Sequence, residues 1–269
     1  MTRTTLFRAM AAAAGVGLAL TATACSSDDD SSTDSATWTS SAASATQQQK
    51  LDTSGYAALP AVPAAAGPTV SCDYPSTPRQ AAKPVNAPST TDVSTEGVAE
   101  VTLATTQGTI GLTLDRAEAP CTVNSFVSLT EQGYFDDTDC HRIVTSPGLQ
   151  VLQCGDPTAQ GTGGPGYQFA NEYPTTVYAA NDPAAQQGMV YPRGTVAMAN
   201  SGPGGTNGSQ FFLVYEDSIL PPQYTVFGTI SDEGLATIEK VAAAGDDGSM
   251  SAGGGKPNMP ITIETASVA

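Results

Sequence analysis

Apolar residues begin to alternate with polar ones at Val101. Val101 and Leu103 stand against Thr102 and Ala104, and Ile110, Leu112 and Leu114 follow beyond Gly108. A period of two puts one set of side chains on one face of a strand, so this stretch predicts a β-hairpin with one buried face. The period then changes. Val123, Phe126 and Val127 stand at i, i+3 and i+4 behind Pro120, and Gly133 follows, which predicts a helix opened by the proline and closed by the glycine. Further strands are predicted over 195–199, 211–215, 225–230 and 261–265, and Leu235, Ile238 and Val241 mark a second short helix. Many short strands with only two helices describe a mainly β chain, folded as a closed or nearly closed antiparallel barrel capped by helices.

The chain before residue 96 is patterned differently. Residues 1–24 carry Arg3 and Arg8 and then an uncharged Ala/Gly/Leu/Val run, the layout of a secretory signal. Cys25 follows Ala22-Thr23-Ala24 and precedes two serines, so this end resembles a bacterial lipoprotein signal, in which the cysteine becomes lipid-modified and N-terminal. Ala22 stands where that pattern usually has leucine, which leaves ordinary cleavage without lipid, or an uncleaved anchor, as alternatives. The expectation is an extracytoplasmic protein held on the outer face of the cell membrane through Cys25. From 26 to 50 the only apolar residues are alanines and Trp38, too few to offset the entropy of ordering, so disorder is expected. Residues 59–68, LPAVPAAAGP, should be extended and semi-stiff. Pro78, Pro84 and Pro88 argue against regular structure after it, although Cys72 and Tyr74 call for partners on the domain. This gives a signal over 1–24, a disordered linker over 25–95 and one domain over 96–269.

Charge narrows the choice of partner. The formal net charge of −16 comes with only ten basic residues, scattered along the chain, which argues against nucleic acid.

Two stretches carry the candidate chemistry. The first, residues 140–172, holds the only histidine beside Arg142, a short apolar run ending in Gln153, and a loop too rich in glycine for helix or strand. The second, GTVAMANSGPGGTNGSQFF over 194–212, repeats the design, with Gln210 leading into two phenylalanines. An arginine and a glutamine framing apolar positions suggest a groove for a neutral polar ligand. Together the stretches resemble the active-site signature of the cyclophilins, the cyclosporin-binding class of peptidyl-prolyl isomerases, over about residues 99–269.

The resemblance implies an eight-stranded closed barrel and isomerisation of X-Pro bonds in exported proteins by a monomer. A non-catalytic proline-peptide module or holdase is the competing reading. The reaction needs no nucleophile, metal or cofactor. Its barrier is the partial double bond of the amide, about 18 to 20 kcal/mol. A donor aimed at the proline nitrogen stabilises the twisted amide, and an apolar pocket disfavours the dipolar planar one.

Arg142 matches the catalytic arginine of the family, and Gln153 the glutamine that bonds the substrate backbone and orients it. Ala199 and Asn200 match the rim that holds the peptide, and Gln210 a second groove glutamine. Phe212 matches the floor of the proline pocket, with Phe211 pointing the other way into the core. Leu220 matches an apolar wall. Departures are local. Gln150 and Val151 occupy the positions of an aromatic and a methionine, and Ile219 and Tyr224 those of a tryptophan and a histidine, which argues against strong cyclosporin binding. His141 has no proton to move in this reaction and is expected to be buried and structural. The glycines of 161–166 read as a surface loop, because no Lys-Ser/Thr follows as in a phosphate loop.

Cys72, Cys121, Cys140 and Cys154 are spaced too widely for a CxxC zinc site, and in an exported protein they suggest two disulfides with three possible connectivities. Cys140 and Cys154 fall on segments expected to be adjacent strands, which favours that pair and leaves Cys72 for Cys121.

Overall fold

The computed structural model describes residues 51–202 and 204–269. The predicted signal, Cys25 and the polar stretch 26–50 lie outside the described residues. In chain order the strands begin with β1 (Ala57–Ala58), β2 (Thr69–Val70) and β3 (Val93–Ser94), followed by the hairpin β4 (Val98–Thr105) and β5 (Gly108–Asp115). Helix α1 (Pro120–Glu131) leads to β6 (Thr138–Asp139), β7 (Arg142–Val144) and β8 (Gln150–Cys154). Then come β9 (Met189–Tyr191), β10 (Thr195–Met198), β11 (Phe211–Glu216), β12 (Ser218–Leu220), β13 (Val226–Ile230), helix α2 (Asp232–Ala242) and β14 (Thr262–Val268).

Hydrophobic periodicity explains the long elements. Along β4 and β5 buried and open positions alternate as predicted, and the hairpin pairs in full register from Val98↔Asp115 to Thr105↔Gly108. Helix α1 has Pro120 in its first turn, where the missing N–H costs nothing, and ends before Gly133, whose φ of 65° needs no Cβ. Helix α2 is capped by the Ser231 hydroxyl, which accepts from the Gly234 N–H, and it buries Leu235, Ile238 and Val241.

Nine strands form one curled antiparallel sheet in the order β6-β14-β4-β5-β13-β10-β11-β8-β7. The expected closed eight-stranded barrel is therefore corrected to a nine-stranded half-barrel. Its two edge strands are two and three residues long, and each finds its partners elsewhere. The Cys140 N–H goes to Ile261 C=O beside β14, whereas Ile143 exchanges both main-chain bonds with Gly255. The seam is thus spanned by the chain through Cys140 and His141, with no ladder across it. A loop covers the β7 edge, and that protection keeps an open strand from pairing with another chain.

Residues 51–95, assigned to the linker from sequence, lie on the half-barrel. Cys72 is bonded to Cys121 in the first turn of α1, and Tyr74 is 7% exposed, its ring edge-on to Tyr167 and Phe169. Strand β1 adds in parallel to β9, which also pairs with β12, making a small separate sheet. Proline-rich sequence thus reads as stiff chain but not as unattached chain, because a disulfide and a buried ring offset the ordering cost.

The interior divides into two apolar clusters. The larger lies between sheet and helices and holds Leu103, Leu114, Phe126, Phe135, Phe211 and Phe227. The smaller lies on the other side of β8 and β11 and holds Val151, Tyr191, Phe212 and Val226, with Leu220 and Tyr224 packed against it. Among the described residues no helix is long and apolar enough to cross a membrane.

Candidate active site

The site forms where β7, β8 and β11 lie side by side. Pairing sets Arg142 opposite Gln153 and Gln153 opposite Phe212, so three residues far apart in sequence share one place. Alternation then sorts the neighbours. Val151 lies in the smaller cluster and Leu152 in the larger, and Phe212 and Phe211 divide the same way.

Arg142 is held on three sides. Its Nε donates to Gly253 C=O at 3.0 Å, Nη2 to Ala252 C=O at 2.9 Å, and Nη1 to Gln153 Oε1 at 3.1 Å. A guanidinium has five N–H donors, so two remain for a ligand. Burial lowers the Arg142 pKa and nearby Tyr224 opposes it, and the group stays charged at any accessible pH. From Gln153 the chain of bonds continues: Gln153 Nε2 donates to Gln210 Oε1 at 3.0 Å, and Gln210 Nε2 to Gly163 C=O at 3.0 Å. Each amide accepts on one side and donates on the other, so the orientation of the arginine is relayed along the groove.

The apolar half of the site stands beside this chain. Phe212 is 5% exposed, and its ring meets Tyr224 edge-on at a centroid distance of 5.6 Å. Val151, Leu220 and Ala199 complete the cup around it. Asn200 spends its side chain on structure: Nδ2 donates to Gln223 C=O at 2.8 Å, and Oδ1 accepts from the Gly202 N–H at 3.2 Å. Its side chain therefore fixes the rim instead of reaching for a ligand. The eight substrate-site residues expected from sequence fall into two groups that share Ala199: Val151, Phe212, Leu220 and Tyr224 with it in the apolar cluster, and Gln153, Asn200 and Gln210 with it along the cavity, Gln153 being the one bonded to Arg142.

His141 is 4% exposed and neither ring nitrogen has a partner. Burial lowers its pKa, against the pull of the Asp156 carboxylate, which matches the structural role expected for it. The two disulfides form as favoured, Cys72 with Cys121 and Cys140 with Cys154. The second brackets the site, two residues before Arg142 and one after Gln153.

Sequence reasoning missed three features. The carbonyls of Ala252 and Gly253 carry no side-chain signal, since every residue has a carbonyl. Glu172 accepts from the N–H groups of Cys121 and Thr122 at the start of α1, at 3.0 and 2.7 Å, and so ties that helix to the chain just before the rim. The glycines of 161–166 are also more than a surface loop. They wall a cavity of ≈ 480 Å³ that shares Gln153, Ala199, Asn200 and Gln210 with the groove. A carboxylate followed by a glycine-rich loop was the available signal. Asp156 is fully buried and accepts from Thr158, Thr162 and Gly163, and those bonds outweigh burial to keep its pKa below normal. A Cβ on Gly163 would lie 2.0 Å from Asp156 Oδ1.

The sequence of residues 100–268 matches the family model for cyclophilin type peptidyl-prolyl cis-trans isomerase/CLD. This chain belongs to the cyclophilin family. It is 57% identical over 208 residues to the probable peptidyl-prolyl cis-trans isomerase B of Mycobacterium tuberculosis and 58% identical over 199 residues to that of Mycobacterium leprae. Those matches cover 77% and 73% of this cyclophilin, and the chain spans 66% of the length of each relative, just under two thirds. A crystal structure of a Cryptosporidium parvum cyclophilin type isomerase superposes with a TM-score of 0.51 at 29% identity, covering 64% of this chain and 98% of that one. The same protein, solved in the presence of the dipeptide Ala-Pro, superposes with a TM-score of 0.50.

Proposed function

We propose that this cyclophilin is a peptidyl-prolyl cis-trans isomerase acting on X-Pro bonds of exported proteins. The observation that carries the reading is Arg142, fixed by two carbonyls and Gln153 beside the apolar cup of Phe212. The proline ring enters the cup and excludes water from the amide. As the C–N bond twists, resonance is lost and the nitrogen regains a lone pair, which a free N–H of Arg142 can meet. The carbonyl anchors are already in place, so little reorganisation accompanies that contact. Gln153 and Gln210 hold the peptide backbone while the bond turns. No bond to the protein forms.

Arg142→Ala should lower kcat/KM on a short Ala-Pro-Phe peptide on the order of a hundredfold or more, by analogy with loss of an oxyanion donor. Peptide Kd should change little, because the lost contact belongs to the transition state. Arg142→Lys should not restore the rate, since a flexible point charge lacks the planar fork. Activity of Arg142→Ala within about threefold of wild type, worth less than about 1 kcal/mol, would leave a proline-peptide binding module in place of the enzyme.

The cellular setting is part of the same proposal. Residues 1–24 resemble a secretory signal, Cys25 is the residue that would carry the lipid, and two disulfides fit an oxidising compartment outside the cytoplasm. Labelled fatty acid should enter the wild-type chain and not Cys25→Ser, and only the former should sediment with membranes. Equal labelling of both would remove the lipoprotein.

A further inference from the structure

The large cavity beside the groove has a wall that the matched family domain does not supply. Thr77, Arg79 and Gln80 line it, all of them ahead of residue 100 where the family match begins. That wall is fastened to the glycine-rich loop by main-chain bonds. Thr77 N–H donates to Gly166 C=O at 2.8 Å, Ala82 N–H to Gly164 C=O at 2.9 Å, and Gln168 N–H to Pro75 C=O at 3.0 Å. Upstream, the Cys72–Cys121 disulfide holds the segment to α1. The wall is a built part of the site.

Its charge is unusual for this molecule. The chain carries −16, yet the residues lining the cavity include one arginine and no aspartate or glutamate. Arg79 is exposed, and its Nη1 donates to Thr162 C=O on the glycine-rich loop. Among the described residues the one ion pair is Arg193 with Glu239, so Arg79 has no carboxylate partner there. A carboxylate offers Arg79 what a neutral carbonyl does not, an opposite charge and two oxygens that match the planar fork of the guanidinium. Amides and hydroxyls, among them Gln80, Gln168 and Ser201, supply most of the other polar groups of the lining, and the Asp156 carboxylate behind the loop is committed to the N–H groups of Thr158, Thr162 and Gly163.

We propose that Arg79 is a specificity-determining residue that selects substrates with an acidic side chain near the isomerising proline. The inference rests on the isomerase reading and deepens it. The groove and the cavity share Gln153 and Gln210, so a peptide whose proline fills the Phe212 cup passes the cavity mouth within a few residues. Two or three residues of extended chain cover roughly 7 to 10 Å, and a glutamate side chain then extends into the cavity toward Arg79.

The test uses the full chain and peptides with Glu, Gln or Lys at each of the three positions on either side of an Ala-Pro bond. Wild type should favour Glu over Gln at one of those positions by about three- to fivefold in kcat/KM, the range for a partly solvated ion pair. That preference should shrink with added salt. Arg79→Lys should keep it, Arg79→Gln should abolish it, and Arg79→Glu should turn it toward Lys. The readout for each variant is the ratio of Glu to Gln peptide, so a general change in turnover does not count as a change of preference. Kd values for the same peptides read the preference without turnover, so loss of isomerase activity and loss of acidic preference are separate results. A wild type that treats Glu and Gln alike at every position, or a preference that survives in Arg79→Gln, overturns the assignment.

Discussion

The surroundings of Arg142 leave it little freedom, with three of its five donors committed. The carbonyls that do this depend on one glycine. Gly254 has φ of 69°, and a Cβ there would lie 2.1 Å from the Ile143 oxygen, closer than any rotation can relieve. Gly254→Ala should therefore push the loop off β7, break the Gly255–Ile143 pairing and release Arg142. The expected result is a folded protein with kcat lowered on the order of tenfold or more, since small misplacements of a catalytic group are costly. Wild-type kcat in a folded Gly254→Ala variant would show that the loop carbonyls do not orient the arginine.

At the scale of elements, two short strands carry the candidate residues Arg142 and Gln153, and the molecule has two covalent ties. The Cys140–Cys154 bond closes the β7–β8 pair just beyond the Arg142↔Gln153 rung. The Cys72–Cys121 bond spans 49 residues and straps the N-terminal segment to α1. A loop of that length gives about 4 kcal/mol in the chain-entropy estimate. The double variant Cys72→Ser, Cys121→Ser should unfold at lower urea and be cut by protease first within residues 72–88. Turnover of a neutral peptide should persist, because Arg142, Gln153 and Phe212 all lie on the half-barrel. Unchanged urea midpoint and protease pattern would mean the strap is held by its hydrogen bonds and Tyr74 alone.

Across the whole molecule, two ionisable groups, one half-buried and one buried, oppose one another in their effect on stability. Glu118 is half-buried, with one carboxylate oxygen out of water and unpartnered, and that burial, aided by Asp115, raises its pKa to about 7. The folded state keeps that proton longer than the unfolded one. Its contribution is complete below the ordinary carboxylate value and is lost as pH rises toward 7. His141 behaves in the opposite sense. Its pKa is lowered by burial, so its contribution is complete above the ordinary imidazole value and is lost as pH falls below it. Glu118→Gln removes the first effect and keeps the second. Between about pH 5 and about pH 7, its Tm should rise with pH more steeply than that of wild type. Parallel Tm profiles for the two proteins would rule out a burdened Glu118.

The sequence by itself determined the local elements and the chemical parts. The alternation after Val101, the i, i+3, i+4 spacing in α1 and the α2 stripe appear in the structure within a few residues, because periodicity is a property of neighbouring positions. The motif residues from Arg142 to Tyr224 were legible for a different reason, their resemblance to the cyclophilin signature, which side chains in a given order carry. Tertiary structure alone decided the rest. Whether β6 and β7 would close the sheet depended on what each met across the seam. Whether residues 51–95 would hang free depended on a disulfide partner and on a place for Tyr74. The carbonyls of Ala252 and Gly253 became anchors for Arg142 only because Gly255 pairs with Ile143, more than a hundred positions away in the chain. Main-chain groups are identical at nearly every position, so their use is written in the fold and in no single residue.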